Sequence, residues 1–314
     1  MSPLRILTWQ TPDSYLYYLS QLPHQFHVIT DAAQLRGQRS RRLNGDNVHP
    51  LSAEQARHEQ FDCILFQQPC QYLEEQYLYL NAAQRQLPRI YLEHSSPGEH
   101  PTDMRHPVDD PSVLLVHVTA FNELMWDNGR QATRVIEYGA MPAPDVQYSG
   151  ERPCGLVLGH PREQQGRRLG GDIYRRLGNS VPLEWTGTMT EVPSGDGESI
   201  RHQLPVLAAQ CRFLFHSDRY NSLNLAVIEA MMIGMPIIGL ATGEMASVIQ
   251  NGVSGYVDTN LQRLETHMQE LLDDPHYAYA LGRGAQRRAR ERFGMHRFLA
   301  DWCAVLKLVT GKAA

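Results

Sequence analysis

The sequence predicts an α/β protein built from two doubly wound, parallel-sheet domains. Three observations carry this. Short apolar runs alternate with helical-period segments from end to end, the rhythm of strand–helix–strand units. A chain of 314 residues is long enough for two domains, each with its own core. A Pro-rich stretch at 141–153, MPAPDVQYSGERP, interrupts the rhythm near the middle, and the rhythm then restarts.

In the first half, strands are expected near 5–9, 26–30, 63–67, 89–93, 113–118 and 134–137. Helices fall between them near 14–22, 53–59, 71–84 and 120–128, the last opened by Thr119 as an N-cap. The segment 35–47, LRGQRSRRLNGDN, is polar and basic with two glycines, which predicts a loop. The second half predicts strands near 155–158, 183–186, 212–216, 236–239 and 255–257. Its helices are expected near 167–177, 200–209, 223–233, 243–250 and 261–272. From 277 to 308 the tail is strongly helical, broken at Gly294, and Phe298, Trp302 and Leu306 share one face of its last segment. The expected organisation is therefore a first domain at 1–148, a second at 149–292, and a closing helix at 293–314.

Composition narrows the function. With 42% hydrophobic and 20% charged residues, this is an ordinary globular composition. No apolar run approaches a membrane span, and the start MSPLRILTW reads as a first strand and not a signal peptide. Five cysteines without a CxxC pair suggest reduced core thiols and a cytoplasmic protein. A net charge of −5 argues against nucleic acid as a partner. All basic residues but Lys307 and Lys312 are arginine, so any cationic phosphate clamp must use guanidinium groups, which bind bidentately.

The most informative stretch is 211–257, CRFLFHSDRYNSLNLAVIEAMMIGMPIIGLATGEMASVIQNGVSGYV. It reads as a buried strand, a polar turn, a helix opening on small polar residues, a second strand and a Gly-containing turn. A strand feeding a helix N-terminus offers backbone N–H groups and a positive dipole end to a phosphate. Glu229 lies in an otherwise apolar setting on that helix, where a carboxylate needs a hydrogen-bonding partner. The series Asn221-Ser222-Leu223-Asn224, Glu229-Ala230, Gly234, Pro236-Ile237-Ile238, Gly243-Glu244, Val248-Ile249, Asn251-Gly252 and Gly255 resembles the nucleotide-sugar site of retaining glycosyltransferases of the GT-B fold.

That resemblance implies two Rossmann-like domains facing across a cleft, with a final helix crossing back to the first domain. It implies a bacterial-type enzyme moving a sugar from a nucleoside diphosphate sugar to a glycan, lipid-linked or protein acceptor, with retention of configuration. On this likeness Glu229 holds the nucleotide ribose, and the backbone N–H groups of Ser222 and Leu223 meet phosphate oxygens. Asn221 stands where the family has an acid near the donor sugar. The segment 155–168 resembles the family strand–loop–helix whose Arg and Lys hold the diphosphate. Gly159 belongs to it, but His160 and Gln165 replace the two cations, leaving Arg162, Arg167 or Arg168 to take the role. As solvated residues at a helix start, these arginines would do nothing. Gly187 opens the stretch to Arg201 where base selectivity is expected.

In the first domain, Glu93-His94 with Pro97, Gly98 and His100 resembles the family strand that ends in a His beside the transferring sugar. The resemblance makes His94 and Asn221 the catalytic candidates, and His100 and Tyr15 the acceptor-side candidates. The Tyr15, Tyr17, Tyr18 cluster fits a sugar platform or simply the packed face of the first helix. His94, His100 and His106 recur at six-residue spacing, but loop spacing of that length does not enforce metal geometry, so no metal is expected. No cofactor is expected beyond the donor substrate, and peripheral association with a membrane or a partner protein is compatible with the acceptor classes. The departures at His160, Gln165 and Asn221 leave a rival open: a catalytically silent homologue acting as a binding or scaffolding subunit.

Overall fold

Every strand pair among the described residues is parallel. The structure, a computed structural model, describes residues 3–11, 15–30, 46–142, 145–158, 166–185, 206 and 208–312. The chain divides into two compact units, one of Met1–Gly139 with Met295–Ala314 and one of Ala140–Gly294.

The first unit holds a seven-stranded sheet of β1 (Arg5–Trp9), β2 (Gln25–Ile29), β3 (Val48–Leu51), β4 (Cys63–Phe66), β5 (Arg89–Glu93), β6 (Val113–His117) and β7 (Thr133–Val135). Its order is β3-β2-β1-β4-β5-β6-β7, which reverses direction between β1 and β4. Leu7, Ile64, Phe66, Tyr91 and Leu115 form the centre of its core. The sequence pattern did not foresee β3. Pro50 lacks an N–H and argues against a strand, but β3 is an edge, where a missing donor is tolerated.

Four helices of this unit are shorter than their patterns suggest: α1 (Tyr15–Leu19), α2 (Ala53–Ala56), α3 (Gln76–Tyr79) and α4 (Ala120–Met125). Thr119 caps α4 through the Asn122 N–H at 3.0 Å. The single helix expected at 71–84 is broken into a wide turn at Gln71–Glu75, α3, and a tight turn at Gln84–Gln86. The wide turn runs directly into α3, which ends at an extended Leu80, and polar side chains hold the two ends of the stretch. Gln71 Oε1 accepts from the Gln67 and Gln68 N–H groups at 2.7 and 3.1 Å, and Asn81 and Gln84 cap each other reciprocally at 2.9 and 3.0 Å.

The second unit holds β8 (Arg152–Val157), β9 (Leu183–Trp185), β10 (Cys211–His216), β11 (Ile237–Leu240) and β12 (Gly255–Asp258), in the order β12-β11-β10-β8-β9. Its helices are α5 (Gly171–Leu177), α6 (Leu225–Ile233), α7 (Met245–Val248), α8 (Leu261–Asp273) and α9 (Pro275–Phe293). Phe213, Phe215 and Ile238 on the sheet pack against Leu177, Leu264, Met268 and Leu281. Asn260 caps α8, and Asp274 caps α9 ahead of Pro275 in the first turn, where the ring removes an N–H that would have no partner. Residues 140–142 and 145–148 run with this unit instead of the first. The Ala140 N–H donates to Phe293 O at 2.9 Å and the Tyr148 N–H to Ile233 O at 3.3 Å, so the division falls after Gly139 and not at the composition shift near 148.

The last helix, α10 (Met295–Thr310), belongs to the first unit. It buries Phe298, Trp302, Val305 and Leu306 on one face, each worth about 1.5–3 kcal/mol on full burial. Arg297 anchors it to the Glu137 and Tyr138 carbonyls at 3.0 and 2.6 Å, and the Trp302 indole donates to the Tyr15 hydroxyl at 3.0 Å. A Cβ on Gly139 would stand 2.4 Å from the Phe298 ring, so the chain needs glycine there for α10 to seat. Gly139→Ala is expected to cost about 1–3 kcal/mol by overpacking. A thermal melt checks this, and an unchanged Tm would show that Phe298 moves aside freely.

Candidate functional site

In a doubly wound sheet, ligands collect outside the carboxyl ends of the strands where the strand order reverses. In the second unit that point lies between β8 and β10. Two described segments meet there: 217–224, which leaves β10, and 166–170, which enters α5. Gly170 has φ 73°, and a Cβ on it would sit 2.1 Å from the Ser217 carbonyl oxygen. Only glycine permits both the left-handed backbone and the approach. This also explains why α5 begins at Gly171 and not near 167.

Hydrogen bonds then fasten the two segments. The Arg219 and Tyr220 N–H groups donate to Arg168 O at 2.8 and 3.3 Å. The Arg219 guanidinium grips both oxygens of Asp172 at 2.6 and 2.8 Å and reaches Arg167 O at 2.5 Å. Arg167 adds a contact to Asp172 at 3.1 Å with its side chain 79% exposed. Arg168 donates to Tyr220 O at 3.1 Å and lies 5.0 Å over the Tyr220 ring. Thr242, after β11, donates to Asp218 O at 2.7 Å. His216, ending β10, is buried, and burial holds its imidazole below 6.5 against the opposing charge of Asp218.

Asn221 sits inside this loop, donating to Asp218 Oδ2 at 2.8 Å and accepting the Ser222 N–H at 3.0 Å. The helix begins later than the sequence suggests. Asn224 is its cap, accepting the Ala226 N–H at 2.9 Å, and Leu225 is its first residue. Ser222 and Leu223 are buried ahead of the cap, and the Ser222 N–H is already bonded to Asn221. The expected phosphate donors at these two positions are therefore not helix-start N–H groups. Glu229 is half-buried on α6, whose neighbours Val227, Ile228, Ala230 and Met231 are buried. Gly159, His160, Arg162, Gln165 and Gly187 lie outside the described residues, as does the stretch 187–201.

In the first unit the strand order reverses between β1 and β4, and a hydrogen-bond chain crosses that point. Thr8 Oγ1 donates to Leu65 O at 3.0 Å, Gln67 Nε2 donates to Thr8 Oγ1 at 2.9 Å, and Gln67 Oε1 meets His94 Nε2 at 3.2 Å. With a carbonyl oxygen as partner, Nε2 carries the His94 proton. The Tyr15 ring packs edge-on to His94 at 4.9 Å. Tyr15 itself is 1% exposed, among Tyr138, Phe298 and Trp302. It is thus a core residue that positions His94, and the expectation that it touches an acceptor is corrected: no face of it is open.

His100 is exposed. His106 is buried, with Nε2 on Glu93 at 3.1 Å and Nδ1 accepting the Val108 N–H at 3.1 Å, so both its nitrogens are used within the protein. Sequence reasoning missed Gln67 as a site residue. The available signal was a polar side chain closing the otherwise apolar run 63–67, which ends at the sheet's reversal point.

Cys154, Glu184 and Cys211 form the one cluster of metal-ligand type among the described residues. It lies at the amino ends of β8, β9 and β10. The two Sγ atoms are 3.5 Å apart, and Arg152 holds both Glu184 oxygens at 2.6 Å. The hydrogen bond between the two thiols holds Cys154 below its ordinary value and, with burial, pushes Cys211 up, so the pair favours one thiolate and opposes a second. Among the described residues, no helix is long and apolar enough to cross a membrane.

Residues 197–288 match the family described as Glycosyl transferases group 1. The whole chain has the GT-B glycosyltransferase fold. Sucrose-phosphate synthase from Thermosynechococcus elongatus superposes with a TM-score of 0.69 at 13% identity, covering 98% of this chain and 99% of that one. Anabaena Alr3699/HepE in complex with UDP gives 0.65 at 15% identity, covering 98% and 100%. AviGT4, a glycosyltransferase involved in Avilamycin A biosynthesis, gives 0.60 at 13%, covering 98% of each. No curated protein matches the sequence.

The Arg219–Asp172 pair generates a pH prediction. Hydrogen bonding to Arg219 depresses the Asp172 carboxyl from 3.8 to about 2. A depressed carboxyl stabilises the fold above its unfolded value and loses that contribution as pH falls through the folded one. Asp172→Asn is therefore expected to cost about 1 kcal/mol at neutral pH, the upper range for a solvent-screened pair with bidentate geometry. The Tm gap to wild type should narrow as melts are taken from pH 7 down through 4 toward 3. A gap independent of pH would show that the pair does not hold the segments.

Proposed function

We propose that this protein is a retaining glycosyltransferase that moves a sugar from a nucleoside diphosphate sugar to a hydroxyl of a glycan, lipid-linked or protein acceptor in the bacterial cytoplasm. The observation that carries the reading is the family match over 197–288, which spans the segment leaving β10 and the Glu229 helix at the sheet's reversal point. The fold likeness to Alr3699/HepE, whose structures hold UDP and UDP-glucose, supports a nucleotide-sugar donor. In this reading Glu229 accepts hydrogen bonds from the ribose hydroxyls, charge-assisted and so stronger than neutral ones. Arg162 neutralises the diphosphate. Asn221 offers its amide to a sugar hydroxyl, and His94, oriented by Gln67 and Tyr15, lies beside the transferring sugar.

The reaction breaks the bond between the anomeric carbon and the diphosphate oxygen. A bond to the acceptor oxygen forms on the same face, and the acceptor proton passes to the leaving phosphate. The protein's share is positioning and charge stabilisation. No protein base and no metal are needed for that proton balance.

One observation favours a second reading, a silent homologue serving as a binding subunit. Arg167, Arg168 and Arg219 all stand at the mouth, yet each is engaged by the protein itself: Arg167 and Arg219 on Asp172, Arg168 on Tyr220. Calorimetric titration with UDP, GDP, ADP, TDP and their sugars separates the two. The enzyme reading expects saturable binding of one diphosphate, weakened at least tenfold by Glu229→Ala, which is about 1.4 kcal/mol. Absence of binding across the panel would leave the subunit reading.

A further inference from the structure

We infer that the outer face of α9 is a binding site for a phosphate-bearing anion, at the opposite end of the second unit's sheet from the donor mouth. α9 carries five arginines against one acid, Glu291, in a chain whose net charge is −5. Two of the five are structural. Arg288 binds the Val248 and Ser247 carbonyls at 2.6 and 2.8 Å, and Arg292 binds Ser247 O at 2.9 Å. The other three, Arg283, Arg287 and Arg290, are exposed and make no hydrogen bond or ion pair among the described residues. Their spacing of four and three residues puts all three on one face.

That face is concave. A cavity of about 420 Å³ is lined by Arg283, Arg290, Tyr148, Tyr279, Gly234 and Asp145 among others. A second of about 420 Å³ adjoins it, sharing Arg283 and Arg290 and adding Arg287 and Glu291. Tyr148 precedes β8 and Gly234 precedes β11, so the first cavity lies at the amino ends of the parallel strands, and the second adjoins it along α9. The donor mouth lies at the carboxyl ends.

The chemistry selects the ligand class. Three guanidinium groups at this spacing repel one another, and an anion with several oxygens relieves that repulsion while accepting paired N–H donors. Opposite charges on a helix surface can pair at i,i+4. Here Arg287 and Glu291 have that spacing and yet do not pair, and the cationic groups gather over a hollow. Two acids, Asp145 and Glu291, stand against three arginines, leaving a net positive surface that a phosphate group neutralises. The phosphate comes either from a lipid headgroup or from a soluble phosphate compound.

The test uses the full chain and two probes: flotation with vesicles of phosphatidylglycerol in phosphatidylcholine, and calorimetry with inorganic pyrophosphate. The combined variant Arg283→Gln, Arg287→Gln, Arg290→Gln is compared with a charge-matched control, Arg130→Gln, Arg134→Gln, Arg176→Gln, at other exposed positions. The site predicts at least tenfold weaker binding in the α9 variant and near wild-type binding in the control, with both melting as wild type. Each single α9 substitution should give a partial loss, which keeps the result readable if the combined variant melts early. Binding to vesicles alone assigns a lipid headgroup, and binding to pyrophosphate alone assigns a soluble ligand. Binding to neither probe, equal losses in both variants, or unchanged binding in the α9 variant would overturn the proposal.

Discussion

The close approach of Gly170 to the Ser217 carbonyl organises the second unit's mouth, and the Arg219–Asp172 pair keeps it closed up. No side chain fits between these two backbones. Once they touch, the Arg219 and Tyr220 N–H groups reach the Arg168 carbonyl and Arg219 reaches Asp172. The loop carrying Asn221 is then held at one end by the segment entering α5 and at the other by the Asn224 cap. Thr242 adds a tether to the turn after β11. The position of Glu229 on α6 follows from where that cap starts the helix. The same contacts have a second consequence: they engage the arginines that a diphosphate would otherwise draw in. The donor reading thus leans on Glu229 and Arg162 more than on Arg167.

The first unit shows the same logic with neutral groups. Thr8, Gln67 and His94 form one chain across the reversal point of the sheet, and Tyr15 fixes the imidazole from the side. Tyr15 is in turn held by Trp302 of α10, and α10 can seat only because residue 139 has no side chain. The tail of the chain therefore sets the orientation of a histidine more than two hundred residues away.

Much of this was legible in the sequence, and the reasons are local. Strands β1, β5 and β10 are apolar runs bounded by polar turns, and α9 and α10 meet at a glycine between two stretches of helical spacing. Turns leave marks as well: Gly234 has φ 93° as the end of α6, and Gly255 has φ 142° where its strand runs against Ile237. The features that escaped depend on distant partners. Asp172 and Arg219 are far apart in the chain, and neither looks unusual alone. β3 carries a proline that only an edge position excuses. Tyr15 fitted both a sugar platform and the packed face of the first helix, and only its distant neighbours decide for the core. The start of α6 slipped by two residues because Ser222 and Asn224 are both good caps, and Asn221 occupies the Ser222 N–H.

The central claim is that a nucleoside diphosphate binds at the mouth built from 217–224 and α6. Hydrogen–deuterium exchange with and without UDP tests it most directly. Slowed exchange concentrated in 217–229, and lost in Glu229→Ala, is the result the account predicts. Unchanged exchange across that segment while UDP is bound elsewhere would contradict it.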